Sequence, residues 1–156
     1  MIPESELISK EYLVRDMQLL GEVKLTKKGL IRYICLSLGL IQPNESRTLI
    51  FDIMEALIFF HFKDEEPTTK QIIEKINKIR VNKPPAKLKA ILYHLNQLKK
   101  RGLIVQKNGK YSFVMPALAE SKDLGFALEQ IYLGNIKIVF EKIKKALNVL
   151  KTMDSD

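Results

Sequence analysis

The sequence feature that most constrains the fold is a change of hydrophobic spacing between residues 68 and 113. Apolar side chains recur at helical spacing in residues 68–79 and again in residues 85–101. In residues 103–114 they alternate with polar side chains instead, which is typical of strands with one buried side. This order predicts a short helix, a second helix and a β-hairpin.

Local signals mark the ends of these three elements. Thr68 or Thr69 can cap the first helix, and Pro85 can occupy the first turn of the second, where a backbone N–H is not needed. Gly102 is expected to end the second helix, and Asn108-Gly109 is a strong signal for a hairpin turn. The buried face of the second helix is predicted to consist of Leu88, Ile91, Leu92, Leu95 and Leu98.

Four further helices are predicted outside this segment. Residues 5–20 have an amphipathic pattern, and Thr26 opens a second helical run over residues 29–38. The helix from Ser46 or Arg47 to Phe62 is apolar on most of its circumference, which predicts that it is central and buried. A long helical pattern covers residues 124–151. The chain is therefore expected to be mainly α with a small β-hairpin.

The basic charge of the chain is concentrated in its middle third. The 156 residues carry a formal net charge of +8, and residues 63–116 hold 13 basic and 4 acidic side chains, a net +9. The 45 residues from Lys75 to Ala119 contain 11 Lys or Arg and no carboxylate. Since folded surfaces normally mix the two signs, this pattern favours a polyanionic partner over a generally Lys-rich surface.

One sequence segment resembles a known family. Tyr93-His-Leu-Asn-Gln-Leu-Lys-Lys-Arg-Gly-Leu-Ile104 is similar to the end of the recognition helix and the first wing strand in winged helix-turn-helix transcription regulators of the ArsR, MarR and PadR kind. The resemblance covers about residues 48–115 and leaves residues 1–47 without a named motif. It implies a winged helix-turn-helix with extra N-terminal helices and a long C-terminal helix.

This reading divides the chain into three parts with different expected roles. Residues 1–47 form an N-terminal helical extension, residues 48–116 a DNA-binding domain, and residues 117–156 a C-terminal dimerisation helix. The helix over residues 85–101 is expected in the DNA major groove, with the wing over residues 103–114 on the backbone or in the minor groove.

The predicted DNA contacts combine cations with groups that can meet base edges. Asn96 also lies on the exposed side of the second helix, and Asn or Gln can pair with adenine. Tyr93 is equally compatible with the edge of the core. The predicted DNA-binding residues are Thr69, Lys70, Lys83, Lys87, Lys89, Ala90, Tyr93, His94, Gln97, Lys107 and Lys110.

The C-terminal helix carries an apolar stripe that predicts a homodimer. A long exposed apolar face needs a cover, and a second copy of the chain would also present two recognition helices to DNA. The alternative is that this helix packs on residues 1–40 of its own chain. The predicted dimerisation residues are Leu128, Tyr132, Ile136, Val139, Ile143 and Leu150.

The function expected from these patterns is that of a sequence-specific, double-stranded DNA-binding transcriptional regulator acting as a homodimer. The alternative is a winged-helix protein-interaction module of a transcription, replication or membrane-remodelling complex. No catalytic signature, metal site or cofactor is predicted, and no small-molecule effector can be inferred. The lack of a spanning segment and of a secretory signal predicts a cytoplasmic protein with no membrane partner.

Three individual residues can be interpreted either structurally or functionally. Cys35 lies in an apolar run, which favours a buried inert thiol over a redox sensor. His61 is expected to be a core histidine in an apolar helix. His94 has no second His, Cys or carboxylate within a helical turn, so a DNA contact is favoured over a metal ligand.

Overall fold

The computed structural model describes residues 1–46, 48–117 and 122–154. In this part of the chain the structure is mainly helical with one two-stranded antiparallel hairpin, as the sequence predicts. The chain forms two compact units, Met1–Phe113 and Val114–Asp156. In chain order the elements are α1 (Glu4–Leu7), a 3-10 turn (Val23–Leu25), α2 (Lys27–Ser37), α3 (Leu49–Phe62), α4 (Thr69–Ile79), α5 (Leu88–Lys100), β1 (Ile104–Lys107), β2 (Lys110–Phe113) and α6 (Leu124–Met153).

Helix α3 is the centre of the first unit. It packs against α2, α4, α5 and β2, and the prediction that it is central and buried is confirmed. Arg47, one of its two predicted first residues, lies outside the described residues, and the helix itself begins at Leu49. Burial of a large apolar side chain contributes roughly 1.5–3 kcal/mol, and α3 provides more buried residues than any other element of the unit. Its buried residues are Ile50, Phe51, Ile53, Met54, Ala56, Leu57, Ile58 and Phe60.

Helix α4 begins where its capping residues predict. The Thr68 hydroxyl accepts a hydrogen bond from the Gln71 N–H at 3.3 Å, and the Gln71 side chain accepts one from the Thr68 N–H at 2.8 Å. This reciprocal arrangement satisfies two N–H groups that the helix itself leaves unpaired. Ile72 and Ile76 are fully buried, so the apolar face of α4 packs on the core.

Helix α5 begins later than the sequence predicts. The expectation that Pro85 occupies its first turn is wrong, because residues 84–87 are not helical and Lys87 is the N-cap. Pro85 disfavours helical backbone at Pro84, and the N-cap Lys87 has an extended backbone (φ −72°, ψ 135°). The first helical turn therefore starts at Leu88.

Two leucines of α5 are also placed differently from the prediction. Ile91, Leu95 and Leu98 are buried as expected, but Leu88 is 52% and Leu92 41% exposed. A helix turns about 100° per residue, so Leu92 lies a quarter turn around from Ile91 and outside the buried row. The prediction that Leu88 and Leu92 belong to the core is wrong.

The hairpin has the predicted turn, and both of its turn residues adopt positive φ. Asn108 (φ 52°) and Gly109 (φ 77°) connect β1 to β2, in which Ile104 is paired with Phe113. Ile104, rather than Val105, is the buried residue of β1. The two positive φ values match the twist that a two-residue hairpin needs.

The hairpin is also attached to the start of α4. The Tyr111 N–H donates to the Pro67 carbonyl at 2.8 Å, and Thr68 forms an antiparallel bridge with Lys110. Tyr111 and Phe113 are buried beneath this junction. The hairpin base is thus held on the body of the unit, and its turn extends beyond it.

The N-terminal segment does not form the long helix that its pattern predicts. Helix α1 covers Glu4–Leu7 only, so the predicted helix over residues 5–20 is wrong. The Arg15 guanidinium donates to the carbonyls of Leu36 at 2.6 Å and Ile41 at 2.9 Å, near the end of α2. These bonds hold Arg15 against the end of α2, in a segment that is not helical.

Helix α2 and the second unit follow the sequence pattern more closely. Thr26 caps α2 by accepting a hydrogen bond from the Gly29 N–H at 2.9 Å. In the second unit, α6 confirms the predicted C-terminal helix and is about 45 Å long at 1.5 Å per residue. No helix among residues 1–46, 48–117 and 122–154 combines the length and apolar character that crossing a bilayer requires.

Candidate nucleic-acid interface

Three of the basic residues between 75 and 119 are engaged in contacts inside the first unit. The Lys75 ammonium lies 3.7 Å from the centre of the Phe59 ring, and Arg80 forms an ion pair with Asp52 at 3.2 Å. The Lys99 ammonium donates to the Gln106 side chain at 2.9 Å, which ties the end of α5 to β1. These three cations stabilise the fold, and their charge is partly neutralised or covered.

The other eight basic residues of this stretch are exposed. In the described part of the chain, their side chains form no hydrogen bond, ion pair or ring contact. Because no carboxylate of the described residues forms an ion pair with them, their charge attracts anions within the screening length. These residues are Lys78, Lys83, Lys87, Lys89, Lys100, Arg101, Lys107 and Lys110.

The wing tip adds a pair of like charges. Lys107 and Lys110 are directly opposite each other across the hairpin turn, and both are exposed. Like charges at directly paired positions destabilise a hairpin, so an anion between them would stabilise this one. The bridge between Thr68 and Lys110 also brings this cation near the start of α4, where Thr69 is half-buried and Lys70 is exposed.

The outward side of α5 carries two neighbouring rows of exposed residues. Lys89, Tyr93, Asn96 and Lys100 follow one another at helical spacing, and all four are exposed. Tyr93 is 60% exposed, and its ring meets His94 edge-on at 5.4 Å. The adjacent row consists of Leu88 and Leu92.

Three of the predicted α5 contacts lie on the flank of the helix. Ala90, His94 and Gln97 are half-buried. His94 and Gln97 face the start of α3, where a cavity of about 160 Å³ separates the two helices. The cavity is lined by Leu40, Ile50, Tyr93, His94, Gln97, Leu98 and Arg101.

The remaining predicted DNA contacts precede α5. Lys83 lies in the connector after α4, and Lys87 is the N-cap of α5; both are exposed. The sequence also predicts that Lys99 to Arg101 flank this surface at the end of α5, but it does not single out Leu88 and Leu92. These two leucines required knowledge of which α5 face is buried.

Two of the single residues with alternative interpretations, Cys35 and His61, lie outside α4, α5 and the hairpin. Cys35 is fully buried, as predicted, and desolvation raises the pKa of its thiol to about 12, with a smaller lowering by the Arg32 charge. His61 is half-buried, with its ring edge-on to Phe113 at 5.7 Å. Among the described residues, no three His, Cys, Asp or Glu side chains come together as metal ligands would.

Helix α6 displays its apolar stripe with graded exposure. Leu128, Tyr132 and Ile136 are half-buried, and the later positions are exposed, Val139 to 40% and Ile143 to 43%. Leu150 is 52% exposed. The second half of the stripe therefore offers apolar surface to solvent.

Comparisons of the chain with descriptions of known protein families, with curated proteins and with solved structures found no match. Function is therefore inferred from the geometry and the charge of the residues above.

Proposed function

We propose that this chain is a sequence-specific, double-stranded DNA-binding transcriptional regulator of winged helix-turn-helix architecture that acts as a homodimer. The observation that carries the proposal is the set of eight exposed Lys and Arg side chains between the end of α4 and the start of β2, which have no partner in the described part of the chain. No carboxylate occurs in the sequence between Glu74 and Glu120 to offset them. A surface of this kind binds a polyanion through release of the counterions condensed on it.

The dimensions of α5 suit the major groove. Its 13 residues span about 20 Å, and a helix with side chains is about 10–12 Å wide, close to the groove width of about 12 Å. In this arrangement α4 and α5 are both held on α3, and Lys107 and Lys110 reach the backbone or the minor groove from the wing. Lys83 and Lys87 neutralise phosphates at the start of the recognition helix.

The stripe on α6 supports the homodimer. Its exposed residues Val139, Ile143 and Leu150 recur on one side of a helix about 45 Å long, and pairing with a second copy would cover them. A two-fold dimer presents two recognition helices about 34–36 Å apart to a palindromic site. A DNA-binding role is compatible with the cytoplasmic localisation that the sequence predicts.

Binding to labelled duplex DNA at graded salt concentrations tests the proposal. The double variant Lys87→Ala/Lys89→Ala is expected to bind more weakly and to lower the slope of log K against log salt by about 2. The control Lys27→Ala/Lys28→Ala removes the same charge from exposed positions of α2 and should leave the slope unchanged. Equal effects of both variants, or no binding at low salt, would refute the proposal.

A second candidate function is favoured by one observation. Three apolar side chains of α5 and the segment before it are exposed: Val81 by 79%, Leu88 by 52% and Leu92 by 41%. Exposed apolar side chains are also typical of protein-binding surfaces. The chain would then be a winged-helix interaction module of a transcription, replication or membrane-remodelling complex. Co-purification of one stoichiometric protein partner, lost in Leu88→Ala/Leu92→Ala and retained in Lys87→Ala/Lys89→Ala, would support this function over DNA binding.

A further inference from the structure

The outward side of α5 has a composition that discriminates between base pairs. Leu88 and Leu92 form one exposed row, and Tyr93 and Asn96 stand in the next. Lys89 is the one cation among residues 88–96. The outward side of the first two and a half turns of α5 therefore presents two leucines, one tyrosine, one amide and a single Lys.

The major-groove edges of DNA bases differ in which of these groups they accept. The thymine C5-methyl is an apolar group that leucine can cover, and adenine offers N7 and N6–H₂ to a bidentate amide. Guanine instead presents two acceptors, which Arg or Lys reads best. Arg101, the one arginine between residues 81 and 113, is the C-cap of α5 and lines the cavity on the helix flank.

The two neighbouring amide side chains of α5 have different environments in the structure. Asn96 is exposed in the outward row, and its side chain has no hydrogen-bond partner among the described residues. Gln97 is half-buried and lines the cavity beside Leu40 and Ile50. Asn96 is therefore the amide available to a base, although the sequence pattern favoured Gln97 as a contact.

We infer that α5 reads A·T base pairs, with Leu88 and Leu92 on thymine methyl groups and Asn96 on the major-groove edge of adenine. This inference rests on the proposed function and specifies the DNA that the same surface takes. Lys89, a point charge at the edge of the outward row, then holds a phosphate. The specificity of the site comes from apolar and amide contacts, and its affinity comes from the surrounding cations.

The thymine contact is tested on the DNA, so that the protein stays unchanged. Sequences that the full chain binds are first selected from a random duplex library, and each thymine of the half-site is then replaced by deoxyuridine, which lacks only the methyl group. At one or two positions the affinity is expected to fall about fourfold. Leu92→Ala or Leu88→Ala should lose this sensitivity, whereas Leu25→Ala, at a position 80% exposed outside the site, should keep it.

The adenine contact is likewise tested by changing one base of the DNA. Replacing a half-site adenine by 7-deazaadenine removes the N7 acceptor, and the affinity is expected to fall by about 5-fold or more. Asn96→Ala should bind both duplexes equally weakly, while Gln97→Ala should still distinguish them. Because Asn96 is exposed, circular dichroism of Asn96→Ala is expected to match that of the parent chain.

The outcomes separate this inference from the function on which it rests. No binding to any duplex would refute the proposed function and the inference together. Salt-dependent binding with G·C pairs selected, or with indifference to deoxyuridine at every position, would overturn the inference and leave DNA binding intact. A protein partner lost in Leu88→Ala/Leu92→Ala, with DNA binding unchanged in that variant, would also overturn it.

Discussion

The ion pair between Asp52 and Arg80 determines how the end of α4 is held on α3. The Arg80 Nη1 and the Asp52 Oδ2 are 3.2 Å apart, and the two side chains are only 16% and 14% exposed. The Arg80 Nε is buried and has no hydrogen-bond partner in the described part of the chain. We expect single substitutions here to be much more costly than replacement of both residues.

The magnitude follows from opposing contributions that nearly cancel. At an effective dielectric constant of about 20, two unit charges 3.2 Å apart attract by about 5 kcal/mol. Removing each charge from water costs several kcal/mol, and the unpaired Nε adds about 1–3 kcal/mol. The net contribution of the pair is therefore close to zero or slightly unfavourable.

Removal of one partner has a different result, because the remaining charge stays buried without compensation. Asp52→Leu and Arg80→Met are each expected to lower the free energy of unfolding by about 3 kcal/mol. The double variant Asp52→Leu/Arg80→Met should lie within about 1 kcal/mol of the parent chain. The coupling energy of the cycle is then about 5 kcal/mol.

Urea unfolding, followed by circular dichroism and by tyrosine fluorescence, measures these differences. Lys78→Met is the matched control, because it removes an exposed and unpartnered cation from the same helix and should change stability by less than about 0.5 kcal/mol. If the double variant loses the sum of the two single losses, the residues are not coupled and the reasoning is refuted.

Two further predictions concern Cys35 and α6. Because burial raises the pKa of the Cys35 thiol from 9.0 to about 12, the unfolded chain ionises first, and stability should fall as the pH rises above 9. Urea unfolding at pH 8 to 10.5 should show a steeper fall for the parent chain than for Cys35→Ala, and parallel curves would contradict the cause. Ile143→Lys should convert the proposed dimer to a monomer in sedimentation equilibrium, whereas Lys144→Gln, outside the apolar stripe, should not; an unchanged mass for Ile143→Lys would exclude this stripe as the interface.

Several elements could be predicted because their signals are local. The cap formed by Thr68 and Gln71 involves residues three positions apart, and the Asn108-Gly109 turn needs only its own positive φ values. Helix α3 is apolar around most of its circumference, so almost any packing buries it. The same holds for the basic charge, since the absence of carboxylates between residues 75 and 119 is a property of the sequence.

The candidate site needed the tertiary structure for its detail. The sequence predicts a basic surface, but not that Lys75, Arg80 and Lys99 are engaged while their neighbours are exposed. It also assigned Leu88 and Leu92 to the core, since both fit a helical apolar stripe. Which part of that stripe is buried depends on how α5 is rotated against α3, and a rotation of one residue moves a side chain by 100°.

The sequence by itself thus determined the type and order of most elements and the location of the charge, because these depend on interactions within a few residues. Only the tertiary structure decided the conformation of residues 8–20, where an amphipathic pattern predicts a helix. Arg15 bonds there to carbonyls 21 and 26 residues further along the chain. Local propensity is worth a few tenths of a kcal/mol per residue, and hydrogen bonds from a charged group, worth about 1.5–3 kcal/mol, exceed it.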